Sequence, residues 1–351
     1  MEDLNIEEIA TGKAEARFPW WIVLFVVIAT GFGLYYLIVG MWPDMTAKPT
    51  IVEDEQSLVR RAIDGMPAEE GTSPSFPLAV MIENSVDAWP VSGINSANLV
   101  WEAPAEAGIP RFLAVFGDGE DVSKIGPVRS ARPYYVSWAE EFHALYAHVG
   151  GSPEALSIIP SRDVFDLNEF WNGSYFTRFS ARRAPHNVYT STANLLSAVE
   201  KANKIVPSYE SWKYKDDLIK DERPINQEFT IKFSASPLYD INWNYNRDNN
   251  EYLRWQNRRV YSDSDGVQVS TKNVVVVEMK IAILDNEGRR RIENTGSGRA
   301  MVFRDGGVVI GEWSRPTSSD RTKFFVEGLE IEMNAGNTWI EVVPSLEAVE
   351  Y

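Results

Sequence analysis

The sequence predicts an α+β protein with an N-terminal transmembrane helix, a mixed α/β first domain and a mainly antiparallel β second domain. Three observations predict it. An uncharged run fills the space between Arg17 and Asp44, short apolar runs alternate with helix-start signatures from residue 77 to 215, and apolar and polar residues alternate from Phe229 onward. The 351-residue chain, with its 12 tryptophans, has a globular composition and room for two modest domains.

The run from Phe18 to Trp42 exceeds the ~20 apolar residues that a membrane span needs. Trp20 and Trp21 near one end, with Tyr35, Tyr36 and Trp42 toward the other, are spaced like two aromatic belts. The apolar core is longer than that of a signal peptide, and no small-residue cleavage site follows closely. Lys13 and Arg17 precede the run, which predicts a short cytoplasmic tail over 1–17, a membrane helix over 18–42 and an extracytoplasmic body. Residues 43–76, rich in Pro, Glu, Asp and Ser, read as a stalk, with a short helix over Leu58 to Ile63.

The first domain is expected over 77–215. Pro77 to Asn84 is a short apolar run ending in polar residues, as a buried strand would be. Asn98 to Glu106 and Arg111 to Phe116 are two further strands joined by a turn-like Ala107-Gly108-Ile109-Pro110. Pro133 opens a helix carrying Val136, Ala139, Phe142 and Leu145 at helical spacing, with Ala144 to Val149 an alternative strand. Ser152 caps a second helix, with Pro153 at its first position. Thr192 to Asn203 is amphipathic. The charged stretch from Asp216 to Arg223, closed by Pro224, marks the boundary.

The second domain is expected over 225–345. Alternating runs at Phe229–Phe233, Ile241–Tyr245, Val274–Met279 and Phe324–Met333 are separated by turn signals such as Asp265-Gly266, Asp285 to Gly288 and Asp305-Gly306-Gly307.

Composition narrows the chemistry. A net charge of −16 argues against nucleic acid, whose binding rests on Lys and Arg neutralising phosphates. With no cysteine there is no disulfide, thiol nucleophile, Cys-ligated zinc or lipid-modified cysteine. The three histidines lack metal-ligand spacing, and no Lys-bearing phosphate loop is present, so neither a metal nor a cofactor is expected.

In this acidic chain, Arg129, Ser130 and Arg132 lie between Gly126-Pro127 and Pro133. The prolines stiffen the loop, and each guanidinium offers a planar donor fork for a carboxylate or other anion, or for the protein's own carboxylates. Gly150, Gly151 and Ser152 would bring backbone N–H groups toward the same ligand, or simply form a strand-to-helix turn. Asn187 follows His186 in a proline-bounded loop. Glu102 and Glu106 share a strand face if that strand is regular. With His148 and His186 they are the candidate acid–base groups, or else partners for the arginines.

Pro77 to Asn84, Gly108 to Phe116, Ile125 to Tyr134, His148 to Pro153, Ala184 to Tyr189, Thr271 to Val274, Gly296-Ser297-Gly298 and Gly336 to Ile340, in that order, together resemble the YerB-like family. The resemblance covers nearly everything after Pro77. It implies an exported, usually lipid-anchored bacterial protein with a two-part domain of unknown function, mixed α/β first and β-rich second. Lacking the cysteine, this chain would rely on the membrane helix instead.

The resulting expectation is a single-pass cell-membrane protein whose outer body binds an anionic or carboxylate-bearing envelope ligand, a cell-wall polymer or an envelope protein. The alternative is a cell-wall polymer hydrolase or transferase using Glu/His acid–base chemistry.

Overall fold

The structure, a computed structural model, describes residues 19–41, 59–68, 71, 73–118, 121–233 and 236–351. The chain divides into one unit over Met1–Ser57 and a second over Leu58–Tyr351.

In the first unit, helix α1 spans Trp20–Met41. The expected membrane span is corrected here: among the described residues no helix is long and apolar enough to cross a membrane. Helix α1 runs unbroken through this stretch. Its middle is Ala29-Thr30-Gly31, where Thr30 Oγ1 donates back to the Val26 carbonyl at 2.7 Å. The tail 1–17, the charges Lys13, Arg17 and Lys48, and most of the anticipated stalk lie outside the described residues. The described part of that stalk joins the second unit. Arg60 bridges Pro67 around a turn, rather than a helix, that buries Ile63 and Asp64.

The second unit is α+β, with a mostly β second half. The first half supplies β1 (Leu78–Glu83), β2 (Leu99–Pro104), β3 (Pro110–Phe116), helix α2 (Pro133–Glu140), β4 (Leu145–His148), α3 (Pro153–Ile158), β5 (Phe165–Asn168) and α4 (Thr192–Lys201). The second half follows with β6 (Glu228–Lys232), β7 (Asp240–Asn246), β8 (Glu251–Gln256), β9 (Asn273–Glu278), β10 (Ile281–Ile283), β11 (Arg290–Ile292), β12 (Gly296–Arg304), β13 (Gly307–Arg315), β14 (Lys323–Val326), β15 (Leu329–Glu330) and β16 (Thr338–Val343).

One 11-stranded sheet runs through both halves in the order β15-β14-β13-β12-β9-β16-β2-β3-β1-β4-β5. Strand β16 lies parallel to both β2 and β9 and joins the halves. Its neighbours are buried on both faces, as continuous apolar runs such as Val274 to Val277 require. Against one face pack α2 and α3, with Trp138 stacked on Trp101 at 4.4 Å. The other face carries α4 and the sheet built on β6, β7 and β8, through Phe229, Ile231, Ile241, Trp243 and Tyr252. Helix α2 stops at Glu140 and the chain turns at His143 (φ +49°) into β4, so the strand alternative prevails over Ala144–Val149.

The join holds charge. Parallel register sets Glu102 opposite Glu341. Glu102 accepts from Arg254 Nη2 at 3.0 and 2.9 Å, Asn84 Nδ2 at 3.0 Å and Trp339 Nε1 at 3.0 Å, while Trp243 Nε1 donates to Glu341 at 3.0 Å. The Arg254 guanidinium lies among the rings of Phe112, Trp243, Tyr261 and Trp339. All three charged side chains are fully buried. Burial pushes Glu341 well above 4.5, and the Glu102 carboxylate beside it adds to the rise; Glu102 is also raised by burial but is opposed by Arg254. The pair therefore keeps one proton, on Glu341, and one negative charge, on Glu102 beside Arg254.

A carboxyl with a raised folded value contributes stability that is intact below about 4.5 and lost as pH rises through that folded value. Glu341→Gln keeps the shape and removes the titration. We expect it to raise stability at neutral pH by about 1–2 kcal/mol and to flatten the decline, as read by urea melts between about pH 4 and 8. A midpoint lowered at every pH would show Glu341 to be ionised in the folded protein.

Candidate functional site

The loop from Ile125 to Arg132 is stitched between neighbouring elements by its backbone. Arg129 N–H donates to the Met81 carbonyl, its own carbonyl accepts from Val149 N–H, and Ala131 N–H donates to the Gly150 carbonyl, all at 3.0 Å. Its arginines are thereby held at the ends of β1 and β4, beside the start of β3.

Each arginine meets a carboxylate. Arg129 pairs with Glu83 at the end of β1 and donates to the Pro185 carbonyl at 3.3 Å. Glu83 also accepts from the N–H groups of Asn84 and Ser85, and His186 Nδ1 lies 3.7 Å from it. Arg132 pairs with Glu106, which Arg111 on β3 approaches at 3.2 Å; Arg111 also donates to the Ser130 carbonyl.

The electrostatics follow the geometry. Burial, helped by the neighbouring Arg111 and Arg132, pulls Arg129 below the ordinary arginine value while Glu83 opposes it. Burial alone would raise Glu106, but Arg111 and Arg132 outweigh it and hold the carboxyl below its ordinary value. Burial also works against the charge of Arg111, which Glu83 and Glu106 nevertheless raise. Glu106 is thus a fixed carboxylate rather than a proton donor.

Glu102 and Glu106 do not share a face. Strand β2 ends at Pro104, and a turn with Ala107 at φ +53° swings Glu106 to the arginines while Glu102 stays in the core. His148 is sealed: its Nδ1 donates to the Gly150 carbonyl at 2.6 Å and its Nε2 lies 2.7 Å from Asp166 Oδ1. Of the four acid–base candidates, only Glu106 and His186 reach the surface, on different ion pairs. Asn187 lies next to His186, its Oδ1 buried without a hydrogen-bond partner.

The glycine pair has a packing role. Gly150 sits at φ +60°, and a Cβ there would fall 2.8 Å from the Phe170 ring; one on Gly151 would press Ala131 and Leu156 at 3.1 Å. The Gly150 amide is committed too, donating to Asn168 Oδ1 at 3.0 Å. Ser152 caps α3 by accepting from Ala155 N–H.

A cleft of about 220 Å³ opens where Arg132, Pro133, Ser152 and Glu154 face Leu284, Asp285, Arg289 and Arg290 from the β10–β11 hairpin of the second half. The hairpin tip reaches back to the Glu106 turn, where a Cβ on Gly288 would lie 2.9 Å from Ala107 N. Arg289 is held by Asp285 at 2.6 Å. Arg290 differs: no carboxylate among the described residues pairs with it, and its Nε is buried without a hydrogen-bond partner. Sequence reasoning missed Arg290, Arg111 and Glu83. Glu83 at a strand's polar end and Arg111 opening a strand were visible, whereas nothing local marked Arg290.

Two family models match the chain: "Protein of unknown function (DUF3048) N-terminal domain" over residues 64–205 and "Protein of unknown function (DUF3048) C-terminal domain" over 229–340. The chain belongs to this family. Among DUF3048 relatives, "Putative lipoprotein YerB" of Bacillus subtilis (strain 168) is 29% identical over 303 residues, which is 85% of this chain and 90% of that protein. The crystal structure of YerB protein from Bacillus subtilis superposes with a TM-score of 0.75 at 28% identity, covering 83% of this chain and 99% of that one. The two matched DUF3048 regions meet at the β2–β16 pairing and again at the cleft.

Removing one member of a buried pair leaves the other charge uncompensated. Glu83→Gln is therefore expected to cost about 3 kcal/mol in urea unfolding, whereas Glu154→Gln on the exposed rim changes it by less than about 0.5 kcal/mol. Equal effects would mean that the Arg129 pairing contributes nothing.

Proposed function

We propose that this DUF3048 protein works at the bacterial cell envelope, outside the cytoplasm, and binds an anionic or carboxylate-bearing ligand in the cleft between Arg132 and Arg290. One observation carries the reading: Arg290 is a cleft-lining guanidinium with no carboxylate partner among the described residues and a buried, unbonded Nε. The other arginines around it are balanced by Glu106, Glu83 or Asp285. A half-buried guanidinium with an unmet buried donor gains from an anion that restores its missing hydrogen bond. The lipoprotein name of the B. subtilis relative supports the envelope location.

Ligand entry would not need a proton transfer. The ligand would complete Arg290, contact Ser152 on the opposite wall and draw on Arg132, whose partner Glu106 is a quarter exposed. The rest of the molecule is strongly acidic, so only a local site of this kind attracts an anion.

The full-length protein should retain solubilised cell-wall polymer fragments at low salt and release them as salt rises. Arg290→Ala is expected to weaken that binding about tenfold or more, equivalent to losing one charge-assisted contact, and Arg132→Ala to weaken it as well. Equilibrium dialysis measures both. Unchanged binding by Arg290→Ala would sink the assignment.

A further inference from the structure

Beside the cleft, the turn after β5 displays two aromatic rings to solvent. Trp171 is 83% exposed and Phe170 60% exposed, with Leu156 of α3 nearby on the other side of the double glycine. An isolated exposed ring is ordinary, but two adjacent ones on a braced turn are not.

The bracing is extensive. Asn168, itself buried, accepts from Gly150 N–H and Phe170 N–H through its side chain and from Trp171 N–H and Asn172 N–H through its carbonyl. Glu169, also buried, receives Arg178 Nε and Nη2 at 2.9 and 2.8 Å, a bidentate fork. The edge of Phe170 rests on Gly150, which tolerates no Cβ there. Polar groups thus fix the turn's backbone from beneath while its apolar side chains stay in water, an arrangement that presents a rigid surface rather than filling a core.

From this we infer that Trp171 and Phe170 form a stacking platform for a sugar ring, and that the ligand of the neighbouring cleft is an acidic glycan, its pyranose on the platform and its carboxylate at Arg290. The inference rests on the anion-binding reading of the cleft. An aromatic face carries partial negative charge and attracts the slightly positive C–H bonds lining one face of a pyranose. The two subsites share one segment of chain: Phe170 packs on Gly150, and Ser152, two residues on, lines the cleft.

Other occupants fit less well. Anionic lipid surfaces are held by clusters of four to eight Lys or Arg, whereas the platform's own arginine, Arg178, is neutralised by Glu169. A stable protein partner covers about 800 Å² per side, far more than two rings and a leucine.

The test uses the full-length protein, with Trp171→Ala and Arg290→Ala variants, and calorimetry. Its probes are a peptide-free tetrasaccharide of alternating N-acetylglucosamine and N-acetylmuramic acid, the neutral N-acetylglucosamine tetramer, sodium acetate, inorganic phosphate and phosphatidylglycerol vesicles. Trp171 is at an exposed tip, so its replacement leaves folding intact. We expect the acidic tetrasaccharide to bind more tightly than the neutral one, Trp171→Ala to weaken it about tenfold, and acetate and phosphate binding to be unaffected by that change. Acidic tetrasaccharide binding that survives Trp171→Ala overturns the platform, as does equal affinity for the neutral tetramer. Vesicle binding lost in Trp171→Ala, with no tetrasaccharide bound by the parent, assigns the rings to lipid and overturns it too. Acetate and phosphate binding unchanged in Arg290→Ala defeats the underlying anion site separately, whatever Trp171 does.

Discussion

The parallel pairing of β2 with β16 is the constraint on which the rest of this structure depends. It places Glu102 and Glu341 side by side in a dry layer and obliges Arg254, from the smaller sheet, to meet them. Two buried carboxyls and one guanidinium can coexist only with a shared proton and donors from Asn84, Trp243 and Trp339. These groups come from both halves of the chain, and each is wrong for the core unless the others are in place. Apolar residues would have bonded the halves with less penalty, but with less insistence on one register.

From that join outward, the sheet aims the side chains of the candidate site. Glu83 and Arg111 lie opposite each other in the β1–β3 ladder, and the Arg loop crosses the ends of β1 and β4 so that its guanidiniums fall on Glu83 and Glu106. The acid side chains hold the loop, and the loop carries Arg132 to the rim of the cleft. The opposite wall arrives from far along the chain, on the β10–β11 hairpin. Neither half alone makes the cleft.

Much of the local structure was legible. Pro133 at a helix start, Ser152 as a cap, the alternation of Phe229 to Phe233 and Ile241 to Tyr245, and the Asp305-Gly306 turn each follow from short-range rules and recur in the structure. The expected run from Phe324 to Met333 instead bends at Glu327-Gly328 between β14 and β15. What could not be read was non-local. Glu102 looks like a surface or catalytic carboxylate until its partner appears 152 residues away, and the double glycine looks like a ligand cradle until Phe170 is laid on it. The apolar run near Phe18 carries the strongest periodicity-free signal in the chain, yet among the described residues no helix is long and apolar enough to cross a membrane.

The position of β16 in the sheet has a consequence for how such a chain matures. The strand that closes the gap between β2 and β9 follows every other strand of the large sheet in chain order. Until it arrives, β2 and β9 each present an open row of backbone N–H and C=O groups flanked by valines, tryptophan and leucine, the kind of edge that recruits strands from other molecules. A nascent or partly delivered chain is therefore sticky by design of its topology. The large sheet is complete only when the whole chain has been made, with the last strand sliding between the two edges.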